Sequence, residues 1–174
     1  MKRDFLYAPW RHDYINKNRK EKDKLKKVKN DCVFCHQLEL DQDEEYLILE
    51  RFKHCFVMMN MFPYNVGHLM VLPNNHKADL RDVDKKTRAE IFDVVAKTTT
   101  ILEKVLNAKG FNVGINMGIA GGGGIPAHLH VHVLPRWIGD TNFCETIGNV
   151  KVLSSDIKKV YKMLRAEFSH YKKS

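Results

Sequence analysis

Three histidines alternate with aliphatic residues over residues 128–133. In a β-strand, successive side chains point to opposite faces of the sheet. His128, His130 and His132 would therefore lie on one face, about 6.5–7 Å apart step by step, while the aliphatic residues between them face a core. Imidazole acts as a nucleophile, as an acid or base, and as a metal ligand near neutral pH. This histidine row predicts a catalytic site or a metal site.

A run of four glycines, residues 121–124, precedes the histidine row. Because glycine has no Cβ, the backbone N–H groups of such a segment can approach an anion closely. A glycine run alone is typical of a flexible loop, but a glycine run beside three imidazoles is a more specific pattern. The combination predicts a phosphate cradle next to nucleophilic groups.

Metal binding is an alternative interpretation of the same residues. His-x-His on a strand can bind zinc or iron, as in cupin-like barrels, but those sites usually include a carboxylate a few residues later, and the next acid here is Asp140. Cys32 and Cys35 form a Cys-x-x-Cys pair, which indicates metal binding or redox chemistry. The βαβ pattern typical of redox use is not apparent. Zinc needs about four ligands, so the others would come from distant parts of the chain.

The composition favours one globular domain with an anionic ligand. The chain has 174 residues, of which 44% are hydrophobic, and this is enough for a core. The net charge of +8 suits nucleotide, polyphosphate or nucleic acid. Residues 17–29 contain eight basic residues and two acids but no aromatic residue for base stacking. Nucleic acid is therefore disfavoured as the primary ligand.

The apolar runs are too short to span a membrane, and the N-terminus lacks the sustained apolar segment of a signal peptide. We therefore expect a cytoplasmic protein with no membrane partner. A disulfide framework from the four cysteines is not expected in that compartment.

Hydrophobic periodicity predicts the elements that must position these groups. Apolar residues at i, i+3/4 and i+7 predict an amphipathic helix over residues 84–106 and a last helix that begins after Ser154 or Ser155. Short apolar segments predict strands over residues 46–49, 55–59, 68–72 and 111–116. The histidine row forms a further strand that ends near Trp137, and this tryptophan could lie in the core, at an interface or against a base.

His-Leu-His-Val-His-Val-Leu at residues 128–134 resembles the His-φ-His-φ-His-φ-φ pattern of the histidine triad (HIT) family of nucleotidyl hydrolases and transferases. Residues 60–73 and 110–118 resemble the segments that precede the triad in that family. Tyr-Ala-Pro-Trp-Arg at 7–11, Phe-Pro-Tyr-Asn at 62–65 and Pro-Arg-Trp-Ile-Gly-Asp-Thr-Asn-Phe at 135–143 resemble the diadenosine tetraphosphate phosphorylase branch. The resemblance covers most of residues 5–150.

The resemblance implies a HIT-like α+β fold, with an antiparallel sheet, one long amphipathic helix and a C-terminal helix. We expect a HIT domain at residues 32–174, preceded by an N-terminal arm and basic segment at residues 1–31. Family members are commonly homodimers, so a homodimer is expected.

The resemblance also implies roles for the histidine row. His130 would attack the α-phosphate of a nucleotide and form a covalent nucleotidyl intermediate. His132 would hydrogen-bond the phosphate or the bridging oxygen, and His128 would orient the row or hold zinc. Ribose contacts are implied at the Asn60 position and phosphate contacts at the Asn116 position. The candidate substrate-binding residues are Asn60, His68, Asn116, Gly122, Gly123, Gly124 and Trp137.

A structural zinc ion is implied by metal-carrying members of the superfamily, which include galactose-1-phosphate uridylyltransferases. Their ligands are a cysteine pair, a histidine after the proline that ends the central strand, and the first triad histidine. Cys32, Cys35, His76 and His128 occupy these positions. Zinc would tie the N-terminal segment of the domain to the active-site strand.

The glycine run departs from many triad hydrolases, which carry Gly-Gln-Ser/Thr where this chain has Gly-Gly-Ile at residues 123–125. Ile125 cannot donate a side-chain hydrogen bond, which weakens the case for simple hydrolysis and leaves room for phosphorolysis. The expected function is cleavage of dinucleoside polyphosphates such as diadenosine tetraphosphate, or of related nucleotides, at the α-phosphate. One alternative is a nucleotide-binding HIT protein with weak phosphoramidase activity. Another is a metal-dependent hydrolase that uses the histidine row as ligands.

Overall fold

The computed structural model describes residues 32–40, 42–148, 152 and 155–171. The N-terminal arm and basic segment expected at residues 1–31 lie outside the described residues, as does Ser154, so the domain boundary stays a prediction. The elements in chain order are α1 (Val33–Glu39), β1 (Ile48–Arg51), β2 (Cys55–Met59), β3 (Leu69–Pro73), a 3₁₀ helix (Leu80–Asp82), α2 (Lys85–Leu106), β4 (Gly110–Ile115), β5 (Val131–Arg136), α3 (Phe143–Thr146) and α4 (Ile157–Tyr171).

The strands form one antiparallel sheet in the order β1-β2-β3-β5-β4. Strand β5 lies between β3 and β4, and its His132 pairs with Met70 while Val131 pairs with Val71. Alternation puts Val71, Val131 and Val133 into the main hydrophobic core, whereas Met70 belongs to a second cluster on the other face. The pairing therefore places His132 on the face opposite the main core.

Helices α2 and α4 cover the main core. Asp84 caps α2 by accepting hydrogen bonds from the N–H groups of Lys86 and Thr87. The helix ends at Asn107, which has a left-handed φ of 53°. The buried apolar residues of the two helices follow the predicted stripes and are Ile91, Val94, Val95, Ile101, Leu102, Val160, Tyr161, Leu164 and Phe168. The predicted α+β fold, with its long helix and C-terminal helix, is confirmed.

Some boundaries differ from the sequence prediction. Strand β1 begins at Ile48 because Leu47, with a φ of 58°, ends a series of turns. The regular ladder of β5 begins only at Val131, where pairing with both Val71 and Ile115 starts, so His128 and His130 precede it. Helices α1 and α3 were not predicted.

No helix among the described residues has the length and hydrophobicity that a membrane span requires.

Gly67, which precedes His68, is expected to be intolerant of any side chain. Its φ is +72°, and a Cβ would lie 2.5 Å from Leu106 Cδ1. Gly67→Ala should therefore lower the free energy of unfolding by about 1–3 kcal/mol, measured by urea denaturation. Gly114→Ala is the matched control, because a Cβ there meets nothing within 4 Å. Equal effects of the two substitutions on the free energy of unfolding would contradict the expectation that the close approach of Leu106 makes position 67 intolerant of a side chain.

Candidate active site and metal centre

The three side chains of the histidine row are buried, with exposures of 1%, 5% and 6% for His128, His130 and His132. His128 and His130 both contact Phe34, which belongs to the second cluster with Met70, so they lie on the same side of the sheet as His132. The rings of His130 and His132 contact each other edge to face at 4.8 Å between centroids. The row is thus a packed group of imidazoles rather than a set of solvated side chains.

A hydrogen bond fixes the tautomer of His130. Its Nδ1 lies 2.8 Å from the backbone carbonyl oxygen of His128. Because a carbonyl oxygen only accepts, Nδ1 carries the proton. In the neutral ring, the lone pair therefore lies on Nε2. An unprotonated Nε2 is the form of imidazole that can attack an electrophile.

A second chain of hydrogen bonds fixes the tautomer of His132. The backbone N–H of Tyr64 donates to Nδ1 of His68 at 3.2 Å, so the proton of His68 is on Nε2. That nitrogen lies 2.9 Å from Nδ1 of His132 and donates to it. The proton of His132 is therefore on Nε2, which is buried and has no partner among the described residues. His132 thus presents an unused N–H donor beside His130.

Burial keeps both members of this pair neutral. Desolvation, followed by the charges that neighbouring histidines would carry, lowers the pKa of His68 from 6.5 to about 3. The same two causes lower the pKa of His132 from 6.5 to about 4. The neutral tautomers of His68 and His132 are therefore the forms present near neutral pH.

These lowered pKa values predict a stability that decreases in acid. Between pH 6.5 and about 4, the unfolded chain protonates His68 and His132 but the folded domain does not. The free energy of unfolding should therefore fall between pH 7 and pH 5, by on the order of 1–2 kcal/mol per histidine. Urea denaturation at both pH values measures the difference. His132→Asn should show a smaller decrease in the free energy of unfolding. His170→Asn, at an exposed site in α4, should show the same decrease as the wild-type protein. An unchanged loss in His132→Asn would contradict this explanation.

Four potential metal ligands converge at the start of α1. The ligand atoms of Cys32, Cys35, His76 and His128 all lie within 4.8 Å of one another. Nδ1 of His128 is 3.3 Å from Cys32 Sγ and 3.5 Å from Cys35 Sγ, and Nδ1 of His76 is 3.3 Å from Cys35 Sγ. Adjacent S and N ligands of a tetrahedral zinc ion are about 3.5 Å apart. The donor set and its spacing therefore fit zinc.

The protonation of this cluster also suits a cation. Nε2 of His128 donates to the carbonyl oxygen of Pro73 at 2.9 Å, which leaves the lone pair of Nδ1 facing the two sulfurs. Burial lowers the pKa of His128. Burial and the adjacent Cys32 raise the pKa of the Cys35 thiol to about 11, so a cation would be required to hold the Cys35 sulfur as a thiolate near neutral pH. No other group of three or more such ligands is found within the described part of the chain.

A cavity of about 380 Å³ opens beside His130 and His132. This size and a mostly apolar lining are typical of a site for a small organic ligand. The lining residues are Val33, Phe34, Gln37, Met58, Asn60, Met61, Phe62, Tyr64, Met70, Gly124, Ile125, His130 and His132. The cavity thus brings Asn60 and Gly124 to the histidine row, as the candidate site requires.

Other candidate residues lie outside the cavity lining. His68 acts on the site through His132. The N–H groups of Gly122 and Gly123 donate within their own loop, to Ile119 and Gly118, and a Cβ on Gly123 would lie 3.2 Å from the carbonyl oxygen of Asn116. Trp137 donates from Nε1 to the carbonyl oxygen of Leu106 at 3.2 Å and borders a different pocket.

Sequence reasoning missed the contribution of α1. Phe34 packs against the rings of His128 and His130, with centroids 5.7 Å from each, and Gln37 is buried one turn later. Phe34 and Gln37 are spaced i, i+3, which places them on one face of a helix. That spacing was the available signal, but seven residues are too few for a periodic pattern to be recognised.

Comparisons with known proteins agree with this geometry. A sequence model of the HIT domain matches residues 42–137. A Mycobacterium tuberculosis (strain ATCC 25618 / H37Rv) protein named AP-4-A phosphorylase is 35% identical over 164 residues, which cover 94% of this chain and 84% of that protein. The asymmetrical bis(5'-nucleosyl)-tetraphosphatase of Schizosaccharomyces pombe is 33% identical over 89 residues, 51% of this chain and 48% of that protein.

A solved structure extends the agreement to the fold. The crystal structure of a Zn-bound histidine triad family protein from Mycobacterium smegmatis superposes with a TM-score of 0.68 and 26% identity, covering 82% of this chain and 96% of that one. The resemblance predicted from the sequence, including its branch, is confirmed. The buried row of three histidines on an antiparallel sheet, together with these matches, shows that the chain belongs to the histidine triad (HIT) family.

Proposed function

We propose that this chain is a nucleotidyl-histidine enzyme that cleaves dinucleoside polyphosphates, such as diadenosine tetraphosphate, at the α-phosphate. The proposal rests on two groups that lie side by side at the wall of one cavity. One is the lone pair on His130 Nε2, and the other is the unused N–H donor of His132. The names of the M. tuberculosis and S. pombe relatives support the substrate class.

The first step would be an attack by His130. Its Nε2 lone pair forms a bond to the α-phosphorus, the bond from that phosphorus to the bridging oxygen breaks, and the leaving nucleotide departs with the electron pair. His130 keeps its Nδ1 proton, so the imidazole of the intermediate is positively charged. The carbonyl oxygen of His128, 2.8 Å from Nδ1, stabilises that charge. The N–H of His132 would hydrogen-bond the bridging oxygen as negative charge develops on it.

The second step would release His130 as a neutral imidazole when an acceptor attacks the same phosphorus. With inorganic phosphate as acceptor, diadenosine tetraphosphate gives ADP and ATP, and with water it gives AMP and ATP. Ile125 lines the cavity and offers no side-chain donor. Its presence favours phosphorolysis, because an activating side-chain hydroxyl is absent from that position.

We also propose that Cys32, Cys35, His76 and His128 hold a structural zinc ion. The converging ligand atoms support this, as does the Zn-bound M. smegmatis structure. The ion would fix α1, and with it Phe34, against the histidine row. His128 would then be a zinc ligand that orients the row through its carbonyl oxygen. A cytoplasmic location and a homodimer stay predictions.

Product analysis tests the proposed reaction. Diadenosine tetraphosphate is incubated with the protein, with and without inorganic phosphate, and the nucleotides are separated by chromatography. ADP that forms only with phosphate is the result expected for a phosphorylase. AMP that forms regardless of phosphate would indicate a hydrolase and contradict the preference for phosphorolysis. If neither product forms, dinucleoside polyphosphates are not the substrate.

A further inference from the structure

We propose that the side-chain amide of Gln37 recognises the base of the bound nucleotide and selects adenine, an inference that rests on the nucleotide-binding function proposed above. Gln37 lies in α1 and lines the same cavity as His130 and His132. Its exposure is only 6%. Its Oε1 is buried without a hydrogen-bond partner among the described residues.

The buried Oε1 of Gln37 requires a hydrogen-bond donor. Buried polar groups in folded proteins are nearly always hydrogen-bonded, and an unpaired one is costly. The second carboxamide of the cavity, Asn60, already has partners: its Oδ1 accepts from the N–H of Phe62 at 2.9 Å, and its Nδ2 lies 3.4 Å from His68 Nδ1. Of these two carboxamides, Gln37 is therefore the one whose oxygen is buried without a partner among the described residues.

The position of Gln37 suits the base rather than the phosphate. The Phe34 ring contacts His130, and Gln37 follows Phe34 by one helical turn on the same face of α1. A nucleotide with its α-phosphate at His130 must extend its sugar and base into the remainder of the cavity. The cavity walls include aliphatic and thioether side chains, among them Val33, Met58 and Met70, which suit the faces of a flat ring.

The chemistry of a carboxamide favours adenine. A glutamine amide presents one acceptor beside a donor, and this pair matches the N6 amino group and the N7 acceptor of adenine in a bidentate contact. The same edge of guanine carries two acceptors, so Gln37 Oε1 would stay unpaired there. Loss of the N6 amino group from adenine would likewise leave Oε1 without a partner.

Titration calorimetry with two ligands tests the inference. The full chain and its Gln37→Met variant are each titrated with AMP and with purine riboside 5'-monophosphate, which is AMP without the N6 amino group. Methionine is close to glutamine in shape but lacks the carboxamide, and so removes both the oxygen that would accept from N6 and the N–H that would donate to N7. The wild-type protein should bind AMP about 10- to 100-fold more tightly than the analogue, and Gln37→Met should bind the two equally. Gln42→Met, at an exposed position, is the matched control and should keep the wild-type ratio.

The outcomes separate this inference from the proposed function. A wild-type ratio of the two affinities near one, or a ratio unchanged in Gln37→Met, would overturn the role of Gln37. Binding of AMP in the same experiment would still support the proposed nucleotide site. A wild-type protein that bound neither ligand would overturn both. Thermal denaturation adds a second readout: Gln37→Met should unfold at the wild-type temperature or above it, because it removes a buried amide oxygen that has no partner among the described residues. A lower melting temperature with an unchanged ratio is the result expected of a merely structural glutamine.

Discussion

His130→Ala should reduce the rate of diadenosine tetraphosphate cleavage by about 10⁴-fold or more, since the substitution removes the atom that forms the covalent bond. The expected loss is in kcat, because the remaining walls of the cavity still bind the nucleotide. Steady-state kinetics measure it, with the melting temperature of the variant recorded alongside. The matched control is His170→Ala, whose side chain is exposed in α4 and should leave the rate unchanged.

His132→Ala should have a smaller effect, about 10²–10³-fold, because it removes one hydrogen-bond donor to the developing charge and leaves the nucleophile. The order of the two effects therefore distinguishes their roles. A His132→Ala variant that is as inactive as His130→Ala would contradict the assignment of His132 as a donor only. A folded His130→Ala variant with substantial activity would contradict the covalent mechanism itself.

Cys35→Ser should release zinc and lower the free energy of unfolding by several kcal/mol, because binding of a structural metal contributes directly to folding. For a chain of this size, this corresponds to a melting temperature lower by about 10 °C. Metal analysis of the purified protein should find zinc in the wild type and little in the variant. Cys144→Ser is the matched control, because Cys144 is not one of the four clustered ligands.

The rate of diadenosine tetraphosphate cleavage should also decrease in Cys35→Ser, although Cys35 does not line the cavity. Loss of the ion would loosen α1 and remove the packing of Phe34 against His130. A wild-type protein that contains no zinc after purification in metal-replete medium, and that is as stable as Cys35→Ser, would contradict the metal site.

The sequence predicted the elements with strong local patterns. Helices α2 and α4 carry several turns of periodic apolar residues, and the alternation of residues 128–133 specified which side chains share a face. The resemblance also named the four ligands that the fold brings together from positions as distant as Cys32 and His128. The helices and the shared face follow from periodicity, which a single sequence contains, whereas the set of four potential ligands followed from the resemblance to the family.

Other features depend on contacts that no local pattern encodes. The proton on His132 is set by His68, which lies 64 positions earlier in the chain, and in turn by a backbone N–H at Tyr64. The importance of Gln37 appears only when α1 is placed against the sheet. The prediction that Gly122 and Gly123 donate to phosphate stays untested, although their N–H groups are bonded within the loop.

The most direct measurement of the central claim is the mass of the protein during turnover. The wild-type protein is mixed with diadenosine tetraphosphate in the absence of phosphate and quenched without acid, since phosphoramidates are acid-labile. Intact-mass and peptide analysis follow. The predicted result is an added adenylyl group on His130 and none in His130→Ala. Substrate cleavage with no adduct at any time, or an adduct on a different residue, would contradict the claim.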